Sequence, residues 1–160
     1  MNKIKELLNN NESVLVFDID GVLSVMEFGS HNHFMTDEEW NKMVSNNINA
    51  YTEDKVSKTM QEFLKDKDKD RVFVITKIEV DNEIYQKKEF ANKYYDIYKE
   101  NVLCVRNESD KVKELLKIKE KFEDTSDEKI IMIDDTVEIL NDVMQRTNFS
   151  TVHISSFLDI

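Results

Sequence analysis

"VLVFDIDGVL", Val14–Leu23, runs four apolar residues straight into Asp18 and follows them with a second acid, Asp20, and Gly21. Four apolar residues without polar alternation read as a strand covered on both faces, the pattern of a parallel sheet rather than of a half-exposed hairpin. Two acids at the end of such a strand repel one another and lose hydration, which is tolerable where a cation gathers them. In open α/β sheets ligands sit beyond the carboxyl ends of the strands. The stretch therefore predicts both a parallel α/β sheet and a site at its edge.

The rest of the chain supports that reading. Five runs are strand-like: Val14–Asp18, Val72–Thr76, Val102–Val105, Ile130–Asp134 and Thr151–Ile154. Between them lie helical stripes: Val56, Met60, Phe63 and Leu64; Ile84, Ala91, Tyr94, Tyr95 and Tyr98; Val112, Leu115, Leu116 and Phe122; Val137, Leu140, Val143 and Met144. Apolar residues at that spacing are expected in the core. Strand–helix alternation implies right-handed crossovers and a three-layer, Rossmann-like α/β fold, with about five parallel strands and helices on both faces.

One segment breaks the alternation. Residues 24–52 carry no strand-like run, only a helix opened by the capping-box pattern Thr36-Asp-Glu-Glu39 and bearing Trp40 and Met43. A βα connection usually takes about 2–6 residues, so this is a small helical insertion after the first strand, either a flap over the site or a cover for one edge of the sheet. No linker or repeat divides the chain, and 1–160 is expected to be one domain.

Composition narrows the function. The formal charge of −11 repels nucleic acid and anionic lipid, so neither is an expected partner. No apolar run reaches the roughly 18 residues a membrane helix needs. The N-terminal "MNKIKELLNNNES" lacks the features of a secretory signal, and the single cysteine, Cys104, reads as a small buried hydrophobe; the expected location is the cytoplasm.

Polar residues collect where the strands end. Asp18 and Asp20 follow the first, Thr76 and Lys77 the second, Lys111 lies in the helix after the third, and Asp134-Asp135 closes the fourth. A parallel sheet brings these ends to one edge, and hard oxygen ligands there suit Mg²⁺.

In that order and context the motifs resemble those of the haloacid dehalogenase-like hydrolases. "VFDIDGVL" is similar to their DxDG motif, "VFVIT" to their strand-end Thr or Ser, "SDKVKELL" to their lysine near a helix start, and "IIMIDD" to their acidic pair. The matches span residues 14–135. The resemblance implies a phosphatase with Asp18 as nucleophile, Asp20 as acid and base, and Thr76 and Lys111 on the phosphoryl oxygens. It implies Mg²⁺ held by Asp18, the Asp20 carbonyl and Asp135, with Asp134 nearby. Lys77, next after Thr76, either reaches the substrate's phosphate or points into solvent. "KKEFANKYY" (Lys87–Tyr95) resembles the small deoxyribonucleotidase-like branch, which would make the substrate a nucleoside monophosphate. The acidic pair departs from many relatives, which carry a second acid four or five positions later, where Ile139 and Leu140 stand.

Each residue also has a plainer role open to it: Thr76 within the strand, Lys111 on a solvated helix, Asp135 as a helix cap. Lys113 is the rival for the lysine's role, but Lys111 stands closer to the helix start. His31 and His33 lack clustered partners and read as surface loop rather than zinc ligands. Two other functions fit the same residue types. A phosphotransferase would share the aspartyl-phosphate, and a receiver-like phosphoacceptor domain would use acids, Thr or Ser and Lys at strand ends. Receivers place the acidic pair on the first strand and have no task for Asp20, so the order favours the hydrolase.

Overall fold

The computed structural model describes residues 3–25 and 35–159; His31 and His33 lie outside them. The described chain contains strands β1 (Val14–Phe17), β2 (Val72–Lys77), β3 (Val102–Val105), β4 (Ile130–Asp134) and β5 (Ser150–His153). Its α-helices are α1 (Lys3–Asn9), α2 (Asp37–Ser45), α3 (Lys58–Leu64), α4 (Asn82–Tyr95), α5 (Lys111–Lys121) and α6 (Val137–Arg146). All strand pairs are parallel, in the order β3-β2-β1-β4-β5. The fold is thus a three-layer, Rossmann-like α/β sandwich, and β1 lies at its centre.

Period-two alternation divides the sheet's side chains between two cores. Leu15, Phe17, Val72, Val74, Ile131 and Ile133 face Leu7 and Leu8 of α1, Met60 and Leu64 of α3 and Phe90 and Ala91 of α4. Val14, Val16, Phe73, Ile75, Ile130 and Met132 face Val112, Leu115 and Ile118 of α5 and Leu140 and Val143 of α6. Because both faces are covered, β1 shows no polar alternation at all, and β2 and β4 none until their ends.

The helical stripes were broader in expectation than in the structure. Tyr98 lies beyond the end of α4, and Leu116, Val137 and Met144 are exposed on their helices. A helix lying on a sheet buries a narrow arc, filled in α5 by Val112, Leu115 and Ile118 and in α6 by Ile139, Leu140 and Val143; apolar residues one position outside it stay wet. Cys104, on edge strand β3, is half-buried rather than buried. Helix α1 had no counterpart in the expected elements, and β5 begins and ends one residue earlier than expected.

The insertion contains the expected helix. Thr36 Oγ1 accepts the Glu39 amide at 3.2 Å while Glu39 Oε2 accepts the Thr36 amide at 2.9 Å, a complete capping box. Its base is closed by Ser57 N–H donating to the Leu23 carbonyl and Val25 N–H to the Lys55 carbonyl. Among the described residues no helix is long and apolar enough to cross a membrane.

Candidate active site

Asp18 continues the β1 ladder one residue past the strand, its N–H donating to the Ile133 carbonyl at 3.0 Å. The chain then turns back on itself: Ser24 N–H donates to Ile19 O and Gly21 N–H to Ser24 O, both at 2.8 Å. The turn requires Gly21 at φ +79°, and a Cβ there would sit 2.1 Å from Asp135 Oδ2. Only glycine lets the β1 turn and the β4 end approach this closely. Gly21→Ala is expected to cost about 1–2 kcal/mol for the left-handed backbone alone, and to push the Asp135 carboxylate out of place. Urea unfolding would read the first effect.

Asp18, Asp134 and Asp135 each place one carboxylate oxygen within 4.8 Å of the others. Asp18 and Asp134 are buried, at 7% and 0% exposure. Burial pushes Asp18 up to about 6, against the pull of Lys111, and the neighbouring Asp134 and Asp20 charges add to the rise. Burial raises Asp134 as well, with Lys111 and the Thr136 amide opposing. Asp135 rises through burial and the Asp18 charge. Three acids driven toward their neutral forms in one corner are a fit donor set for a hard divalent cation, which would restore the charged forms.

Lys111, the first residue of α5, has no exposed surface, and its Nζ lies 3.2 Å from Asp18 Oδ2, 3.0 Å from Asp134 Oδ2 and 3.1 Å from Glu108 Oε2. Burial opposes the ammonium, yet Asp18 and Asp134 outweigh it and hold its pKa above the ordinary lysine range. Three hydrogens are thus matched by three carboxylates, so Lys111 is placed to hold Asp18 rather than to reach out to a substrate. Asp134 is similarly occupied: its Oδ2 takes Lys111 and its Oδ1 takes the Thr136 amide at 2.9 Å. Asp135 faces the open space, its carbonyl 3.0 Å from His153 Nε2 at the end of β5.

A cavity of about 350 Å³ opens beyond these strand ends. Asp18, Asp20, Lys77 and Asp135 line it, together with Asp37, Trp40 and Asn41 of α2. The insertion therefore walls the site. Thr76 has no exposed surface and sits behind the lining rather than in it. Lys77 reaches the cavity but pairs with Glu79 at 2.6 Å.

The reading of the sequence passed over one buried cation. Lys87 of α4 is 1% exposed and donates to Asp20 Oδ2 at 2.7 Å, to Thr76 Oγ1 at 2.9 Å and to the Lys77 carbonyl. Tyr51 Oη, from the end of the insertion, donates to Asp20 Oδ1 at 2.8 Å. Glu83 lies one turn before Lys87, and its Oε1 takes the Glu79 and Val80 amides at 2.8 and 3.1 Å. A signal for Lys87 exists in the sequence: it stands three and four positions before Phe90 and Ala91, on the buried arc of its helix, with Glu83 at i−4. Tyr51 has no such signal, because its place depends on how the insertion folds back.

Comparison with family models gave no match, and comparison with curated proteins gave none either.

Proposed function

We propose that this protein is a Mg²⁺-dependent phosphohydrolase of the haloacid dehalogenase-like kind, cleaving a small organic phosphate monoester through an aspartyl-phosphate on Asp18. The observation that carries the reading is the convergence of Asp18, Asp20 and Asp135 on one cavity wall, with Lys111, Asp134 and Thr76 packed directly behind them. The ends of β1, β2 and β4 and the start of α5 deliver these groups.

The carboxylate of Asp18 is held at both ends, Oδ1 by the Ile19 amide at 2.7 Å and Oδ2 by Lys111. Such a group is aimed for in-line attack, and phosphoryl transfer depends chiefly on aim and charge. An Asp18 oxygen bonds to phosphorus as the ester P–O bond breaks, and Asp20 gives its proton to the departing oxygen. Water then attacks the phosphorus, loses a proton to Asp20, and frees Asp18. Bound Mg²⁺, held by Asp18, Asp135 and the Asp20 carbonyl, would supply positive charge to the phosphoryl oxygens.

The charge of the wall supports the metal requirement. Seven carboxylates and two lysines line the cavity, a formal −5 that repels a phosphate dianion. Trp40 and Asn41 of the insertion line the cavity, and an indole and an amide suit the leaving group of a nucleoside monophosphate.

The test is phosphate release from a panel of nucleoside monophosphates, sugar phosphates and small alkyl phosphates, in Mg²⁺ and in EDTA. We expect at least one substrate to turn over at about 1 s⁻¹ or faster, with activity falling at least roughly a hundredfold in EDTA. A folded protein inert toward every ester, or equally active without metal, overturns the reading. A phosphorylated acceptor in place of inorganic phosphate would identify a phosphotransferase using the same residues.

A further inference from the structure

We infer that Lys87 and Tyr51 are positioning residues for the departure of the leaving group, clamping Asp20 between the α/β core and the insertion; the inference rests on the phosphohydrolase reading. Both carboxylate oxygens of Asp20 are fixed, Oδ2 by Lys87 at 2.7 Å and Oδ1 by Tyr51 Oη at 2.8 Å. Asp20 follows β1 by three residues on a turn and is only partly buried, so nothing in its own strand holds its side chain. The clamp supplies that restraint from two distant parts of the chain, 67 and 31 residues away.

Lys87 has a second task. An ammonium only donates, so Thr76 Oγ1 is the acceptor in their 2.9 Å contact, which turns the hydroxyl's own hydrogen away from Lys87. With its third hydrogen on the Lys77 carbonyl, Lys87 ties the acid and base, the strand-end hydroxyl and the β2 backbone into one unit. Tyr51 touches only the first of these. Its ring lies edge-on to Trp40 at 6.0 Å and tilted on Phe90 at 5.7 Å, with Lys87 Nζ 5.6 Å from its centroid; Tyr51→Phe keeps these ring contacts and removes only the hydroxyl.

The two residues therefore have different signatures. kcat/KM covers the steps up to departure of the alcohol, where an alkyl leaving group needs a proton and p-nitrophenolate does not. Tyr51→Phe is expected to lower kcat/KM for an alkyl phosphate about tenfold, a part of the 10²–10⁴ that a placed acid supplies, and to leave p-nitrophenyl phosphate within about twofold. Lys87→Met is expected to lower both, the alkyl ester more, because the Thr76 hydroxyl is released too. The thermal midpoint of each variant is measured alongside. Equal losses on both substrates in Tyr51→Phe, or no loss on either, overturns the clamp even if Lys87→Met fails to fold. Inertness of the unmodified protein in Mg²⁺ toward every ester of the panel, p-nitrophenyl phosphate included, instead overturns the phosphohydrolase reading, and the clamp with it.

Discussion

Asp18→Asn is expected to abolish turnover while making the metal-free protein more stable. On the proposed mechanism Asp18 is the covalent nucleophile, and removing one costs on the order of 10⁴-fold or more in kcat. The stability change has the opposite sign. Burial holds Asp18 at about 6, well above its unfolded value, so the folded state takes up a proton that the unfolded chain has already lost. That contribution is fully present below about pH 4 and gone once pH has risen through about 6. Above that, keeping Asp18 charged costs at most about 3 kcal/mol. In EDTA the variant should match the unmodified protein near pH 4 and exceed it by an increasing margin up to about pH 7. Adding Mg²⁺ should stabilise the unmodified protein more than the variant. Urea unfolding across this range, paired with phosphate release, reads both halves; a variant that retains turnover, or is less stable at pH 7, contradicts the assignment.

This opposition between stability and activity explains how much of the molecule could be read from its sequence. Apolar runs that stop abruptly at Asp18, Thr76 and Asp134 marked three strand ends, and parallel topology brought them together, because β2 and β4 are the two neighbours of β1. Gly21 stood in the same stretch, but its approach to Asp135 shows only in the folded chain. The division of labour among the lysines was not visible. Lys77, Lys87 and Lys111 are alike in composition, and only packing separates a half-exposed amine paired with Glu79 from two buried ones that organise carboxylates. Leu116 and Met144 misled in the reverse direction, since periodicity gives an apolar face without giving the width of the arc a sheet covers. Tyr51 lay beyond reach altogether: its bond to Asp20 is set by the path of the insertion, which no local pattern encodes.

Lys111→Met is expected to be the most destabilising single change at the site. Methionine fills nearly the same space, so the effect isolates the charge. With the ammonium gone, Asp18 and Asp134 are left as buried neighbours without a counter-ion, and breaking a buried pair from one side typically costs about 3–5 kcal/mol. Asp134 keeps the Thr136 amide and Asp18 the Ile19 amide, which place the carboxylates but do not neutralise them. The loss should be largest in EDTA at pH 7 and shrink toward pH 5. Burial already favours protonation of both acids, and without Lys111 protonation removes most of the remaining penalty. Two additions should rescue the variant. Saturating Mg²⁺ restores positive charge to the corner, and a second change, Asp134→Asn, removes one of the stranded charges. Because the two side chains touch, the double variant should be more stable than Lys111→Met alone, a coupling that separated residues do not show. Urea midpoints for the four proteins decide the matter: strictly additive losses would mean that Lys111 acts as a packing residue and that Asp18 draws its charge balance from elsewhere.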